Sequence, residues 1–200
     1  MTSGKMNHIN KFLVLLVLFF NLVFNMAAHA TEHDSTVAEV MNLFSQQKKS
    51  TVDFKEEKHT SFLEQPIISS GYLEFIAPDR LAKYITVPEK ISNEINGNQL
   101  VIKTSSETHT INLKEHPEFS IILTSIINLL SGNYEALKNN FTIKFKGQVT
   151  SWELELLPRD SFIRGHIDSI GMHGNKNKLT KIMVTEANKD YSVTHISNHR

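Results

Sequence analysis

Residues 70–88 read SGYLEFIAPDRLAKYITVP and contain two strand patterns joined by a turn. In the first pattern Leu73 and Phe75 alternate with polar neighbours, so both lie on one face of a strand. A Pro-Asp pair then turns the chain. Beyond the turn, Leu81 and Ile85 occupy alternate positions of the second strand. The segment therefore predicts a β-hairpin, and these four side chains give each of its strands an apolar face.

The same period-two alternation recurs on both sides of this hairpin. Upstream, Val52, Phe54 and Glu56 share one face of a strand. Further strands are predicted at residues 91–95, 100–104, 108–113, 141–145, 151–156, 163–172, 179–186 and 191–196. Short turns join most neighbours, which favours an antiparallel sheet of about eleven strands, and a sheet of this size usually curls.

Two helical patterns interrupt the strands. Residues 35–47 have apolar side chains at helical spacing and predict a leading amphipathic helix. Midway along the chain, Ile122, Ile126 and Leu130 belong to a more apolar helix, and a short helix follows at residues 134–140. We therefore expect an α+β fold, an antiparallel incomplete β-barrel with a helical lid.

The first thirty residues have the pattern of a secretory signal peptide. Basic residues precede an apolar run at residues 12–24, and Ala28 and Ala30 form a small-x-small cleavage motif. The run is shorter than the roughly 20 apolar residues of a membrane-spanning helix. We predict cleavage after Ala30, which leaves residues 31–200 as a single domain; an uncleaved N-terminal anchor is the alternative.

The predicted mature chain contains no cysteine and nearly balances its charges. Without Lys5 and Lys11, the 21 basic residues become 19, against 21 acidic residues. This balance does not favour nucleic acid or an anionic membrane as a partner. The lack of cysteine excludes disulfides, thiolate metal sites and a lipid-modified N-terminal cysteine. We expect a soluble monomer that is not lipid-anchored.

Known catalytic patterns are missing from the sequence. It contains no phosphate-binding Gly-rich loop, no Gly-x-Ser-x-Gly elbow and no His-Glu-x-x-His helix. Histidines are numerous but scattered, and the pairs that lie seven residues apart lack a third ligand at metal-site spacing. We predict neither enzymatic activity nor a metal or cofactor.

The predicted inner face of the sheet carries more apolar side chains than are needed to pack against a single helix. Removal of hydrocarbon from water drives apolar ligands into cavities lined in this way. The alternative, which the pattern alone favours, is a filled core. The residues predicted to line an apolar cavity are Phe54, Leu73, Phe75, Leu81, Ile85, Ile122, Ile126 and Leu130.

Short segments along the mature chain follow a characteristic order. They are Phe54 to Lys58, Leu63, Pro66, residues 70–75 with Gly-x-Leu, residues 77–81 with Pro-Asp-Arg-Leu, Pro88, residues 96–98, 116–117, 129–132 and 152–158, and Asp160. In this order the chain resembles the LolA family of periplasmic outer-membrane lipoprotein carriers, and more closely its LolA-related branch.

The resemblance implies an incomplete barrel of eleven strands whose cavity holds lipoprotein acyl chains. It further implies a periplasmic carrier that receives its ligand from an inner-membrane donor and delivers it to an outer-membrane acceptor. One position departs from the family pattern: Ala77 stands where LolA carriers have an arginine that holds the lid by hydrogen bonds. This departure puts energy-coupled loading in question and leaves apolar binding intact.

Two other functions compete with the carrier hypothesis. One is a periplasmic regulatory binding module, which would use the same fold to sense lipids or mislocalised lipoproteins and signal to a membrane partner. An enzyme acting on a lipid is the third possibility, and the missing catalytic residues argue against it.

Overall fold

The computed structural model describes residues 36–199 of the chain. The described strands all lie in one unit, Val37–Arg200. The predicted signal peptide and its cleavage site lie outside the described residues.

Eleven strands account for most of the described chain. They are β1 (Lys49–His59), β2 (Ile67–Ile76), β3 (Arg80–Val87), β4 (Ile91–Asn96), β5 (Gln99–Lys103), β6 (Thr108–Asn112), β7 (Phe141–Gln148), β8 (Ser151–Pro158), β9 (Ile167–Asn175), β10 (Lys178–Glu186) and β11 (Tyr191–Asn198). The helical segments are α1 (residues 36–45), a 3-10 turn (Leu113–Glu115), α2 (Pro117–Leu130), α3 (Tyr134–Asn140) and α4 (Ser161–Arg164).

All eleven strands belong to one antiparallel sheet in the order β6-β5-β4-β3-β2-β1-β11-β10-β9-β8-β7. The first and last strands of the chain therefore pair in the middle of the sheet, and β6 and β7 are its outer strands. Helices α2 and α3 make the connection between these two outer strands. Because β6 and β7 do not pair, the sheet is an incomplete barrel, and the predicted α+β fold is confirmed.

Local side-chain contacts explain where the elements begin and end. Pro117 is the first residue of α2, as its lack of an N–H group favours. The helix ends before Gly132, which has a φ of +70°. A Cβ atom on Gly132 would lie 2.4 Å from the Met41 carbonyl oxygen, so only glycine permits this close approach of α1.

Local hydrogen bonds explain two of the predicted strand boundaries that were wrong. The strand predicted from Ile163 begins at Ile167 instead, because the Asp160 side chain accepts a hydrogen bond from Ile163 N at 3.0 Å and caps α4. The strand predicted to reach Leu113 ends at Asn112. There the Asn112 side chain accepts from Lys114 N and starts the 3-10 turn.

One part of the inner face of the sheet is filled with side chains. Strands β7, β8 and β9 with helices α1 and α3 form this packed region, and Leu154, Leu156 and Met172 are almost fully buried in it. The ring of Trp152 meets that of Phe44 edge-on, with centroids 5.9 Å apart. This region is a conventional hydrophobic core.

The rest of the inner face is covered less completely. We call strands β1–β5, β10 and β11 the open region. Its buried cluster is small and consists of Phe75, Leu81, Ile95 and Leu113 packed against Ile127 of α2. Most other inward side chains of these strands are only half-buried. The two regions share one sheet and differ in how far their interior is filled.

Candidate functional site

A cavity of about 950 Å³ lies between α2 and the inner face of the open region. Leucine, isoleucine, valine and phenylalanine side chains from the strands and from α2 form much of its wall. Its volume is at the upper end of the range for small-molecule sites, roughly 300 to 1,000 Å³. The space is large enough for a sizeable apolar ligand.

Six of the eight residues predicted from the sequence lie in the wall of this cavity. They are Leu73, Phe75, Leu81, Ile122, Ile126 and Leu130. Strand alternation brings the first three to the inner face of β2 and β3, and spacing of four residues brings the other three to one side of α2. Their role in ligand binding stays a prediction.

The other two predicted residues, Phe54 and Ile85, do not line the cavity. Phe54 lies on the inner face of β1 but is buried, and the Lys83 ammonium lies 4.8 Å from its ring centroid. Ile85 lies on the same face of β3 as Leu81 and is half-buried opposite Gly71 and Ile91. Both residues therefore lie on the inner face of the sheet without lining the cavity.

Charged and hydroxyl side chains in the wall were missed by the sequence prediction. Lys83 Nζ donates to Glu56 Oε1 at 2.7 Å, and Thr194 Oγ1 donates to Glu56 Oε2 at 2.7 Å. A second ion pair joins Lys58 Nζ to Glu186 Oε1 at 3.3 Å. All five residues line the cavity, and we call them the polar strip.

A sequence signal for part of the polar strip did exist. Glu56 and Lys58 continue the inward face that Val52 and Phe54 begin, so alternation alone points both charges into the barrel. Their partners come from strands that are distant in the sequence, and only the register of β1 against β11 brings Thr194 opposite Glu56.

The described groups with shifted pKa values lie on the outer face of the sheet. A hydrogen bond from Lys55 and its positive charge lower the pKa of Glu57. Burial, with the nearby charges of Glu94 and Glu74, raises the pKa of Tyr84. Both residues alternate with inward neighbours and therefore point away from the cavity.

Neither a metal-binding cluster nor a helix able to span a membrane is found among residues 36–199. No group of three or more His, Asp or Glu side chains is arranged to hold a metal ion there. None of the helices in this part of the chain combines the length and apolar character that a membrane span requires.

The sequence profile of a protein family, described as outer membrane lipoprotein carrier protein LolA-like, matches residues 27–197. The chain belongs to this family. The LolA-like match includes α2 and every strand of the sheet apart from Asn198, the last residue of β11, so it covers the whole cavity wall except that residue. No curated protein matches the sequence at a significant level.

Solved structures with a similar fold are distant in sequence. A LolA superfamily protein from Nitrosomonas europaea is 9% identical, with a TM-score of 0.43, over 84% of this chain and 94% of the other. The Mycobacterium tuberculosis lipoprotein LppX is 10% identical, with a TM-score of 0.44, over 82% and 94%. The Pseudomonas aeruginosa MucA/MucB complex is 10% identical, with a TM-score of 0.45, over 81% and 56%.

Proposed function

We propose that this LolA-like chain is a periplasmic carrier that shields the acyl chains of lipoproteins, or of a related lipid, on their way to the outer membrane. The observation that supports this function is the apolar cavity under α2. A sheet with a filled packed region does not need such a space for its stability.

The energetics of apolar burial fit a carrier that must also release its ligand. Moving about 15 methylene groups of an acyl chain from water into the cavity is favourable by roughly 12 kcal/mol, at ~0.8 kcal/mol each. A bilayer offers the same acyl chain a comparable gain. Exchange between cavity and membrane is therefore nearly balanced, while escape of the acyl chain into water is strongly disfavoured.

The contacts of α2 suggest how the cavity opens. Ala77, which replaces the lid-holding arginine of LolA carriers, packs against the cluster that contains Leu81 and Ile127. Apolar packing of this kind lacks the directional hydrogen bonds of a guanidinium group. In our proposal α2 is held by this packing and is displaced when an inner-membrane donor or an outer-membrane acceptor docks.

Extraction of lipids from the natively purified protein, followed by mass spectrometry, is the first test. We expect a bound acyl-bearing molecule and saturable uptake of a fluorescent fatty acid. Leu73→Trp should occupy part of the cavity and lower uptake at least about tenfold, since the loss of about two buried methylene groups costs ~1.6 kcal/mol. Tyr72→Trp is the matched control, because this neighbour lies on the opposite face of β2 and its substitution should leave uptake unchanged.

Two results would contradict the carrier proposal. One is native protein that is reproducibly empty and takes up no fatty acid. The other is Leu73→Trp protein that remains folded and takes up as much ligand as the Tyr72→Trp control.

A further inference from the structure

The polar strip places opposite charges inside a wall that is otherwise largely apolar. Cross-strand pairing aligns Glu56 with Thr194 and Lys58 with Ser192, so the strip follows β1 and β11. Lys83 reaches it from β3 and Glu186 from the end of β10. The strip is thus assembled from four strands and faces the same space as the apolar side chains.

The charges of the strip are held in fixed positions. Both carboxylate oxygens of Glu56 accept hydrogen bonds, one from Lys83 and one from Thr194. The Lys83 side chain is 26% exposed and also lies over the Phe54 ring, which restricts its ammonium group further. An ammonium group has three N–H donors, so Lys83 and Lys58 keep donors for a ligand beyond those used on their carboxylate partners.

The strip is not explained by stability alone. Half-buried ion pairs lose hydration, and well-packed apolar residues commonly replace them without loss of stability. The packed region of the same sheet shows this alternative, since its buried inward positions on β8 and β9 carry leucine, isoleucine, methionine and tryptophan. Charges on the inner face of the open region therefore suggest a polar ligand group.

We propose that the polar strip binds the head of the ligand, and that this head is polar but carries no net charge. This inference rests on the proposed function, because the apolar part of the cavity must hold the tail. The two lysines and two glutamates of the strip sum to zero charge. A third lysine of the cavity wall, Lys178, begins β10 and so lies at the opposite end of that strand from Glu186 of the strip. Ester, amide and hydroxyl groups, or a zwitterionic head, pair with both signs and preserve that balance.

A head with a net charge is disfavoured by the same arrangement. An anionic head gains from Lys83 but meets the Glu56 carboxylate beside it, 2.7 Å from the ammonium. A cationic head is attracted by the Glu56 carboxylate but repelled by the Lys83 ammonium. Such unbalanced charge is more costly in a partly dehydrated cavity than in water, because the effective dielectric constant is lower.

The test compares four amphiphiles that share a saturated chain of sixteen carbon atoms, each below its critical micelle concentration. They are monopalmitoylglycerol, palmitoyl lysophosphatidylethanolamine, palmitate and hexadecylamine. Displacement of a fluorescent fatty acid gives the Kd of each. We expect the first two to bind at least about tenfold more tightly than the two charged ligands, a difference of about 1.4 kcal/mol.

Variants of the strip test whether it causes this selectivity. The double variant Glu56→Gln with Lys83→Met should bring the four Kd values within about threefold of one another, because the paired charges are gone. Lys58→Met with Glu186→Gln tests the second ion pair if the first variant does not fold. Lys144→Met with Glu155→Gln removes an ion pair of β7 and β8, outside the cavity wall, and should leave the ranking unchanged.

The outcomes separate this inference from the carrier proposal. Equal Kd values for all four ligands in the unmodified protein, or unchanged selectivity in both strip variants, overturn the head site and leave the tail site standing. Folded protein that binds none of the four ligands overturns both proposals.

Discussion

The packed region and the open region follow the same alternation of inward and outward side chains. The inward residues Leu154 and Leu156 of β8 are large, apolar and fully buried, and so are Ile170 and Met172 of β9. On β1 the inward positions carry Val52, Phe54, Glu56 and Lys58, of which only Phe54 is buried, whereas Val52 and Glu56 are half-buried and Lys58 is exposed. The comparison shows that a strand pattern specifies a face, whereas side-chain size and charge determine whether that face becomes a core or a cavity wall.

The largest expected effect is a loss of stability when a side chain of the packed region is truncated. Leu156→Ala removes a fully buried side chain from a site with neighbours on every side, and should lower the free energy of unfolding by about 2–5 kcal/mol. Leu73→Ala is the matched control in the cavity wall, where one side already faces open space, and should cost no more than about 1 kcal/mol. Urea denaturation measures both.

Equal losses at Leu156 and Leu73 would contradict the comparison. They would mean that the open region is packed as tightly as the core in solution. A ligand that copurifies with the protein could also stabilise the cavity wall, so delipidated protein should be measured beside native protein.

An intermediate effect is expected where β2 and β3 approach each other. A Cβ atom on Gly71 would lie 1.9 Å from the Tyr84 carbonyl oxygen, a backbone atom that cannot move without opening the sheet. Gly71→Ala should therefore lower the free energy of unfolding by about 1–3 kcal/mol through overpacking. Because Gly71 pairs with Phe54 and Ile85, uptake of a fluorescent fatty acid should fall as well.

Gly97→Ala is the control for Gly71→Ala. Gly97 lies in the turn between β4 and β5 with a φ of +57°, and an added Cβ atom would have no neighbour within 4 Å. Its substitution should cost about 1–2 kcal/mol through backbone strain alone and leave uptake intact. Full uptake by the Gly71→Ala variant would show that the β2–β3 contact does not shape the cavity.

Most of the fold was predictable because its signals are local. Alternation located the strands, and turn residues such as those at 96–98 located the hairpins. The start of β9 was not predicted, because Ile163 also fits a strand pattern and only the hydrogen bond from its N–H group to Asp160 shows the α4 turn.

The site was less predictable than the fold, because its wall depends on contacts distant in sequence. The prediction that Phe54 points inward was correct, but Phe54 does not line the cavity and the Lys83 ammonium lies over its ring. No local pattern in the sequence predicts that contact. Likewise Glu56 and Thr194 are 138 residues apart, and only the β1–β11 register joins them.

The smallest expected effect concerns the outer face of the packed region. His173 on β9 lies between Glu153 of β8 and Lys181 of β10. Burial lowers the pKa of His173, Lys181 lowers it further, and Glu153 partly opposes both. The folded protein therefore takes up a proton at this site less readily than the unfolded chain, whose histidine has an ordinary pKa near 6.5.

Linkage gives the sign of the resulting pH dependence. Above pH 6.5 His173 is neutral in both states and contributes nothing, whereas below 6.5 the unfolded chain binds the extra proton. The free energy of unfolding should fall as the pH drops from 6.5 through the lowered pKa. His173→Gln removes this loss, so the stability of the variant relative to the unmodified protein should rise as the pH is lowered from 8 to 5.5. An unchanged difference between urea curves at these two pH values would show that the outer face does not disfavour the charged imidazole.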